Sequence, residues 1–141
     1  KNFFKNIKKE DFDVIISSSA LQWSKNIKHN LLEINKMKKP FFIAIFTANT
    51  FKDLHNFIGI KSPIVTKDNI LDALRAINIS YKIKTYSLSF ESNLSLLRYI
   101  QKSGVNPTNK QLSITQVKKI IQKYTKKELL FEVIFVHKND Y

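Results

Sequence analysis

The chain has no cysteine. That excludes a disulfide framework, thiolate nucleophiles and zinc sites built on sulfur. It has only two glycines, Gly59 and Gly104. Neither a P-loop nor a dinucleotide-binding glycine loop can be assembled from so few. Its three histidines, His29, His55 and His137, are far apart, and no two of them stand one helical turn from each other. A metal centre is therefore not expected. No G-x-S-x-G elbow surrounds any serine, so an activated serine nucleophile is not expected either. No apolar run approaches the roughly 20 residues that span a bilayer. The opening "KNFFKNIKKEDF" has neither an apolar core of signal-peptide length nor a small-residue cleavage site. These features lead to the expectation of a cytoplasmic, non-membrane protein.

Arginine is also scarce. The net charge is +13, yet only Arg75 and Arg98 are arginines. Base-edge readout leans on bidentate arginine forks. The lysines are scattered, with only short pairs such as 38–39, 118–119 and 126–127. Nucleic acid is therefore not the expected partner. A lysine surface with few arginines and many Asn and Ile reads as a solvated face shaped by coding bias. The other reading is a basic rim for an acidic partner protein.

What is present is a core. Hydrophobic residues make up 43% of the 141 residues, enough for one folded domain. "FDVIIS" (12–17) and "PFFIAIFTA" (40–48) are continuous apolar runs, as in strands covered on both faces. Ile27, Leu31 and Ile34 repeat at helical spacing over 25–37. Residues 49–65, with Gly59 and Pro63, read as an irregular connection. Thr66 is a candidate N-cap for a helix over 66–78 with Ile70, Leu74 and Ile77 on one face. "YKIKTYSLSF" (81–90) begins with alternation and reads as a strand nearer an edge. A short helix is expected over 93–103, closed by Gly104 in the left-handed conformation. "SITQ" (113–116) is a capping-box pattern opening a helix that runs to Tyr124. "LLFEVIFV" (129–136) is apolar on both faces apart from Glu132, as in a central strand.

Strands alternate with helices at first, which predicts parallel pairing with crossovers. The fold class is α/β with about four strands. Strand 12–17 is expected at an uncovered apolar edge, which is a liability unless something pairs there. In open α/β sheets ligands sit beyond the carboxyl ends of strands. "SSSALQW" (17–23) lies at such an end, and so do Phe46 and Thr47. Small hydroxyl residues suit a floor that a ligand approaches closely, and Trp23 suits a wall. Serines that bond their local backbone in a turn, and a tryptophan that anchors the core, fit the same letters. Residue type and position leave both readings open.

"FDVIISSSALQW" (12–23) resembles the segment around the fourth strand of class I S-adenosylmethionine-dependent methyltransferases. More narrowly, it is similar to the malonyl-acyl-carrier-protein O-methyltransferases of biotin synthesis, where a strand of the type "FDLxxSNxAxQW" leads into a helix. Phe12, Asp13, Ser17, Ala20, Gln22 and Trp23 match that pattern; Ser18 stands where the family often has Asn. "LSLLRYIQKSGV" (94–105) resembles the family's lid, and "LSITQVKKIIQKY" followed by "LLFEVIFV" resembles its last helix and strand. The resemblance runs over roughly residues 10 to 137.

The resemblance implies the C-terminal half of a Rossmann-like methyltransferase sheet, its last strand antiparallel, with lid helices. Residues 1–141 would form a single partial domain lacking the N-terminal half, which carries the glycine loop and the acidic residue for the ribose. It implies S-adenosylmethionine as cofactor and methyl transfer to the free carboxylate of a malonyl thioester on an acidic acyl carrier protein. On that basis Ser18, Ser19 and Trp23 are expected at the cofactor. Arg98, Gln22, Tyr99 and Phe46 are expected at the substrate, with Arg98 on the carboxylate. Arg98 on a solvated helix face is the competing reading. A malonyl carboxylate is ionised at neutral pH, its pKa being about 4, so no catalytic base is expected. The alternatives are a non-catalytic binding or assembly unit that needs its N-terminal half, and a methyltransferase for another small carboxylate.

Overall fold

A computed structural model describes residues 12–103 and 112–139. Gly104, expected to close a helix, and the end of the lid-like segment lie outside the described residues. Four strands form one sheet in the order β1-β2-β4-β3. They are β1 (Ile15–Ser18), β2 (Phe41–Phe46), β3 (Tyr81–Ser89) and β4 (Glu128–Lys138). β1 and β2 are parallel; β4 runs antiparallel to both β2 and β3. The sheet is thus mixed, and the last strand of the chain is inserted antiparallel, as expected. The apolar run 129–136 is central. The strands expected near an edge, β1 and β3, are the two edges.

Among the described residues five α-helices pack around it: α1 (Ile27–Lys36), α2 (Lys52–Ile58), α3 (Lys67–Ala76), α4 (Asn93–Ser103) and α5 (Ile114–Lys123). Their starts follow from capping. Asn26 accepts from the His29 N–H, and Thr66 from the Asn69 N–H. Ser113 and Gln116 form the reciprocal capping box. α2 is the exception to the sequence reading, since 49–65 reads as irregular. Its N-cap, Phe51, has φ 59° and no side-chain cap, so no polar start signal exists. The helix forms because Leu54 and Ile58, four residues apart, are buried together with Phe51. Gly59 ends it at φ 73°, a left-handed conformation that suits glycine.

The pleat divides the side chains between two faces. Phe41, Ile43, Ile45, Ile134 and Val136 point to one face, where α1 and α3 cover them with Leu31, Ile34, Ile70 and Leu74. Leu129 and Phe131 point to the other face, against Phe51 and Leu54 of the α2 region, Leu96 and Ile100 of α4 and Ile120 of α5. This second layer covers only one end of its face. At the other end Ile16 is 72% exposed and Phe42 48% exposed. Ile16, Ser18, Phe42, Ala44, Phe135 and His137 line an open groove there, beside the edge of β1 that no other described strand pairs with.

Candidate functional site

The carboxyl ends of β1 and β2 lie side by side, because Ser18 pairs with Ala44 and the Ser19 N–H donates to the Ala44 carbonyl at 3.1 Å. The chain then turns sharply. Ser19 has φ 58°, in the left-handed region that a β-carbon makes costly. Such backbone strain persists only where the surroundings fix it. Here the Gln22 side chain does so, its Nε2 donating to the Ser19 carbonyl at 2.7 Å. Residues 21–23 form one turn of 3₁₀ helix, and Gln22 is buried. The Val65 N–H donates to the Gln22 carbonyl at 3.1 Å and ties the 62–65 loop across this turn.

These contacts border a half-open cavity of about 60 Å³. Gln22 and Trp23 line it, with Phe46 from the end of β2, Thr50, Phe51 and His55 around α2, Ser62, Pro63 and Ile64 from the loop, and Phe131 from β4. Three phenylalanines stand at angles to one another. Phe131 meets Phe51 edge-on with centroids 5.0 Å apart, and Phe46 at a tilt with centroids 6.2 Å apart. Trp23 is 53% exposed, so it is a wall between cavity and solvent and not a core anchor. Gln22 Oε1 and Ser62 Oγ are buried without a hydrogen-bond partner among the described residues.

Three of the expected site residues, Gln22, Trp23 and Phe46, therefore share one cavity. Ser19 is joined to it through its carbonyl. Ser18 is not; its side of β1 faces the open groove with Ile16 and Phe42. Arg98 is exposed on α4, and Tyr99 packs against Phe90 in the second cluster. Neither lines the cavity. Among the described residues no group of three His, Asp or Glu side chains is placed to hold a metal, and no helix is long and apolar enough to cross a membrane.

A second polar cluster sits at the same end of the sheet. The Glu132 carboxylate accepts from Thr47 Oγ1 at 2.7 Å and Asn49 Nδ2 at 2.9 Å, and Lys67 Nζ lies 3.4 Å away. The Thr50 hydroxyl donates to the Glu132 carbonyl and accepts from the Glu132 N–H. Burial pushes the Glu132 carboxyl up, but the Thr47 and Asn49 hydrogen bonds and the Lys67 charge outweigh it. The net position is below the usual carboxylate value. The cluster pins the exit of β2 to β4 and α3. Its sequence signal was one carboxylate in an otherwise apolar strand. The partners Asn49 and Lys67 carried no signal of their own.

No protein-family model and no curated protein matches the chain. Among solved structures it is similar to a phosphoethanolamine N-methyltransferase of Haemonchus contortus in complex with S-adenosylhomocysteine. That match has 12% identity and a TM-score of 0.41, over 92% of this chain and 34% of the other. It is also similar to a putative sarcosine dimethylglycine methyltransferase of Galdieria sulphuraria, at 12% identity and a TM-score of 0.45, over 97% and 57%. A third is a geranyl diphosphate methyltransferase in complex with SAM, at 8% identity and a TM-score of 0.41, over 88% and 50%. The chain thus spans between 34% and 57% of the length of these three proteins. Similarities of this size carry nothing about the chemistry of the site.

Proposed function

We propose that the chain is the substrate-side half of an S-adenosylmethionine-dependent methyltransferase, acting on the carboxylate of a malonyl thioester carried by an acyl carrier protein. The observation that carries this reading is a coincidence of place. The stretch "SSSALQW", on which the family resemblance rests, forms the strained turn that walls a cavity at the carboxyl end of β1. The inserted antiparallel last strand, which the resemblance implies, supports it.

The residues fit the cofactor in part. Ser18, Ser19 and Trp23 lie at the strand end where they would contact it. Gly59 is spent closing α2, so this sequence supplies no glycine loop. A complementary N-terminal half would supply one. The groove beside β1, with Ile16 and Phe42 exposed, supports such a partner, because an apolar sheet face and a strand edge left uncovered among the described residues invite cover. S-adenosylmethionine, when bound, supplies a methyl group on a sulfonium. The chain's own task is then to orient an already ionised carboxylate and to exclude water. Phe46, Phe51 and Phe131 form the dry wall of the neighbouring cavity, which takes the apolar stem of the acceptor and not its carboxylate. Arg98 is the cation for the carboxylate, reached by movement of α4 or of the substrate. Charge is neutralised as the methyl moves, so an over-tight pair at Arg98 would favour the ground state. The lysine surface would steer an acidic carrier protein.

The test is methyl transfer by the chain assembled with a glycine-loop half, with malonyl and butanoyl carrier thioesters compared. Transfer to the malonyl substrate that falls with Arg98→Ala supports the reading. Transfer unaffected by Arg98→Ala removes Arg98 from the site. No transfer to either, by an assembled and cofactor-binding protein, favours a binding or assembly unit.

A further inference from the structure

The cavity at Gln22 has a polar requirement that the proposed carboxylate does not meet. The orientation of the Gln22 amide is fixed. Its Nε2 faces the Ser19 carbonyl, which only accepts, so the amide cannot be flipped. Oε1 is therefore the buried atom without a donor. Ser62 Oγ is a hydroxyl without a partner, able to donate. The Thr50 hydroxyl is already engaged twice by the main chain of Glu132. Among the described residues no Lys, Arg, Asp or Glu lines the cavity, and the rest of the wall is the His55 imidazole, phenyl and indole rings, Pro63 and Ile64.

An anion meets no Lys or Arg here, His55 being the one imidazole in the wall, and it would face the Gln22 carbonyl oxygen. A purely apolar ligand would leave both polar atoms unsatisfied, which costs more than the same contact satisfied. A group with one donor and one acceptor on an apolar stem answers both. The cavity, at about 60 Å³, exceeds the roughly 10–15 Å³ that one water needs.

We propose that the cavity between the 21–23 turn, α2 and the 62–64 loop receives a neutral secondary amide on an aliphatic chain. Its N–H donates to Gln22 Oε1 and its carbonyl accepts from Ser62 Oγ. The amide-bearing chain is taken as the stem of the methyl acceptor, and to that extent the inference rests on the methyl-transfer reading. The carboxylate is then held elsewhere.

The probes are N-butylacetamide and butyl acetate, which have the same shape and differ by the N–H, together with butanoate. They are titrated into the full chain, read by the fluorescence of the single tryptophan, Trp23, and by the backbone amide resonances of residues 22 and 62–64. The amide should bind saturably and the ester about tenfold more weakly, the loss expected when a buried acceptor is left unpaired. Ser62→Ala should weaken both, and Gln22→Met should abolish the difference between them. If Gln22→Met does not fold, the ligand pair and Ser62→Ala decide the matter on folded protein. Equal binding of amide and ester overturns the proposal. So does tighter binding of butanoate, or no saturable binding at all, which would make this a water-holding void. None of the probes carries a methyl donor. Amide binding by the chain, with no methyl transfer by its folded and cofactor-binding assembly with a glycine-loop half, would overturn the methyl-transfer reading alone.

Discussion

Replacing Glu132 by Gln keeps the shape of the side chain and removes its charge. The cost can be worked from the contacts. Thr47 and Asn49 donate to one carboxylate oxygen at 2.7 and 2.9 Å. Hydrogen bonds to a charged group contribute about 1.5–3 kcal/mol and neutral ones about 0.5–1.5, so each bond weakens by about 1 kcal/mol. The Lys67 pair is partly exposed at 3.4 Å and adds less than about 1 kcal/mol. The total is about 2.5 kcal/mol. At about 4 °C per kcal/mol for a domain of this size, Tm should fall by about 10 °C. Urea unfolding at neutral pH reads the same quantity, with an unchanged slope if the denatured state is unaffected. The pH dependence gives a sharper check. The folded state holds the Glu132 carboxyl below its usual value. Its contribution is therefore present above the unfolded pKa of about 4.3 and is lost as pH falls through the folded one. The gap between natural chain and variant should close on acidification. Equal stability at neutral pH, or a gap that persists undiminished at the acid end, would refute the assignment of the stabilisation to charge.

Asn93 is buried, and its Nδ2 donates to the carbonyls of Ile120, Ile121 and Tyr124. Asn93→Leu should cost about 2–4 kcal/mol in urea unfolding, because it strands the last carbonyls of α5. Ser113→Ala should cost about 1 kcal/mol by removing half of the capping box. Ile16→Lys places a charge on an already exposed position, so the thermal stability of this chain should change by less than about 0.5 kcal/mol. The same substitution should block assembly with a complementary half in size-exclusion chromatography. Burial, with Asp53 and Glu128 nearby, pushes the Tyr124 hydroxyl up to about 12. Its contribution to stability is present below the unfolded value of about 10 and lost as pH rises through the folded one. Phenolate absorbance should show one tyrosine titrating late, and Tyr124→Phe should remove that step.

Much of the fold was legible because it is written in local chemistry. Thr66 and Ser113 start helices through their own hydroxyls. β4 reads as central because both of its faces are apolar. α2 was illegible because Phe51 caps it without a polar side chain, in a backbone conformation held by tertiary contacts, its N–H donating to the Leu130 carbonyl at 2.8 Å and its ring packing on Phe131. The site was legible in part for the same reason. Gln22, Trp23 and Phe46 announce themselves as strand-end residues. Ser62 and Phe131 reach the same cavity from distant segments, and no spacing in the sequence links them. Glu132 was visible as an anomaly in an apolar strand, but its meaning depends on Asn49 and Lys67, which only folding brings to it. Arg98 and Tyr99 were named through the resemblance, and they lie on α4, apart from the cavity.

The most direct test of the central claim is a calorimetric titration with S-adenosylhomocysteine, on the chain alone and on the chain assembled with a glycine-loop half. The assembly should bind with micromolar affinity and the chain alone should not bind. Tight binding by the chain alone would contradict the proposal that the cofactor site needs a second half. Absence of binding by a folded assembly would contradict the methyltransferase reading itself.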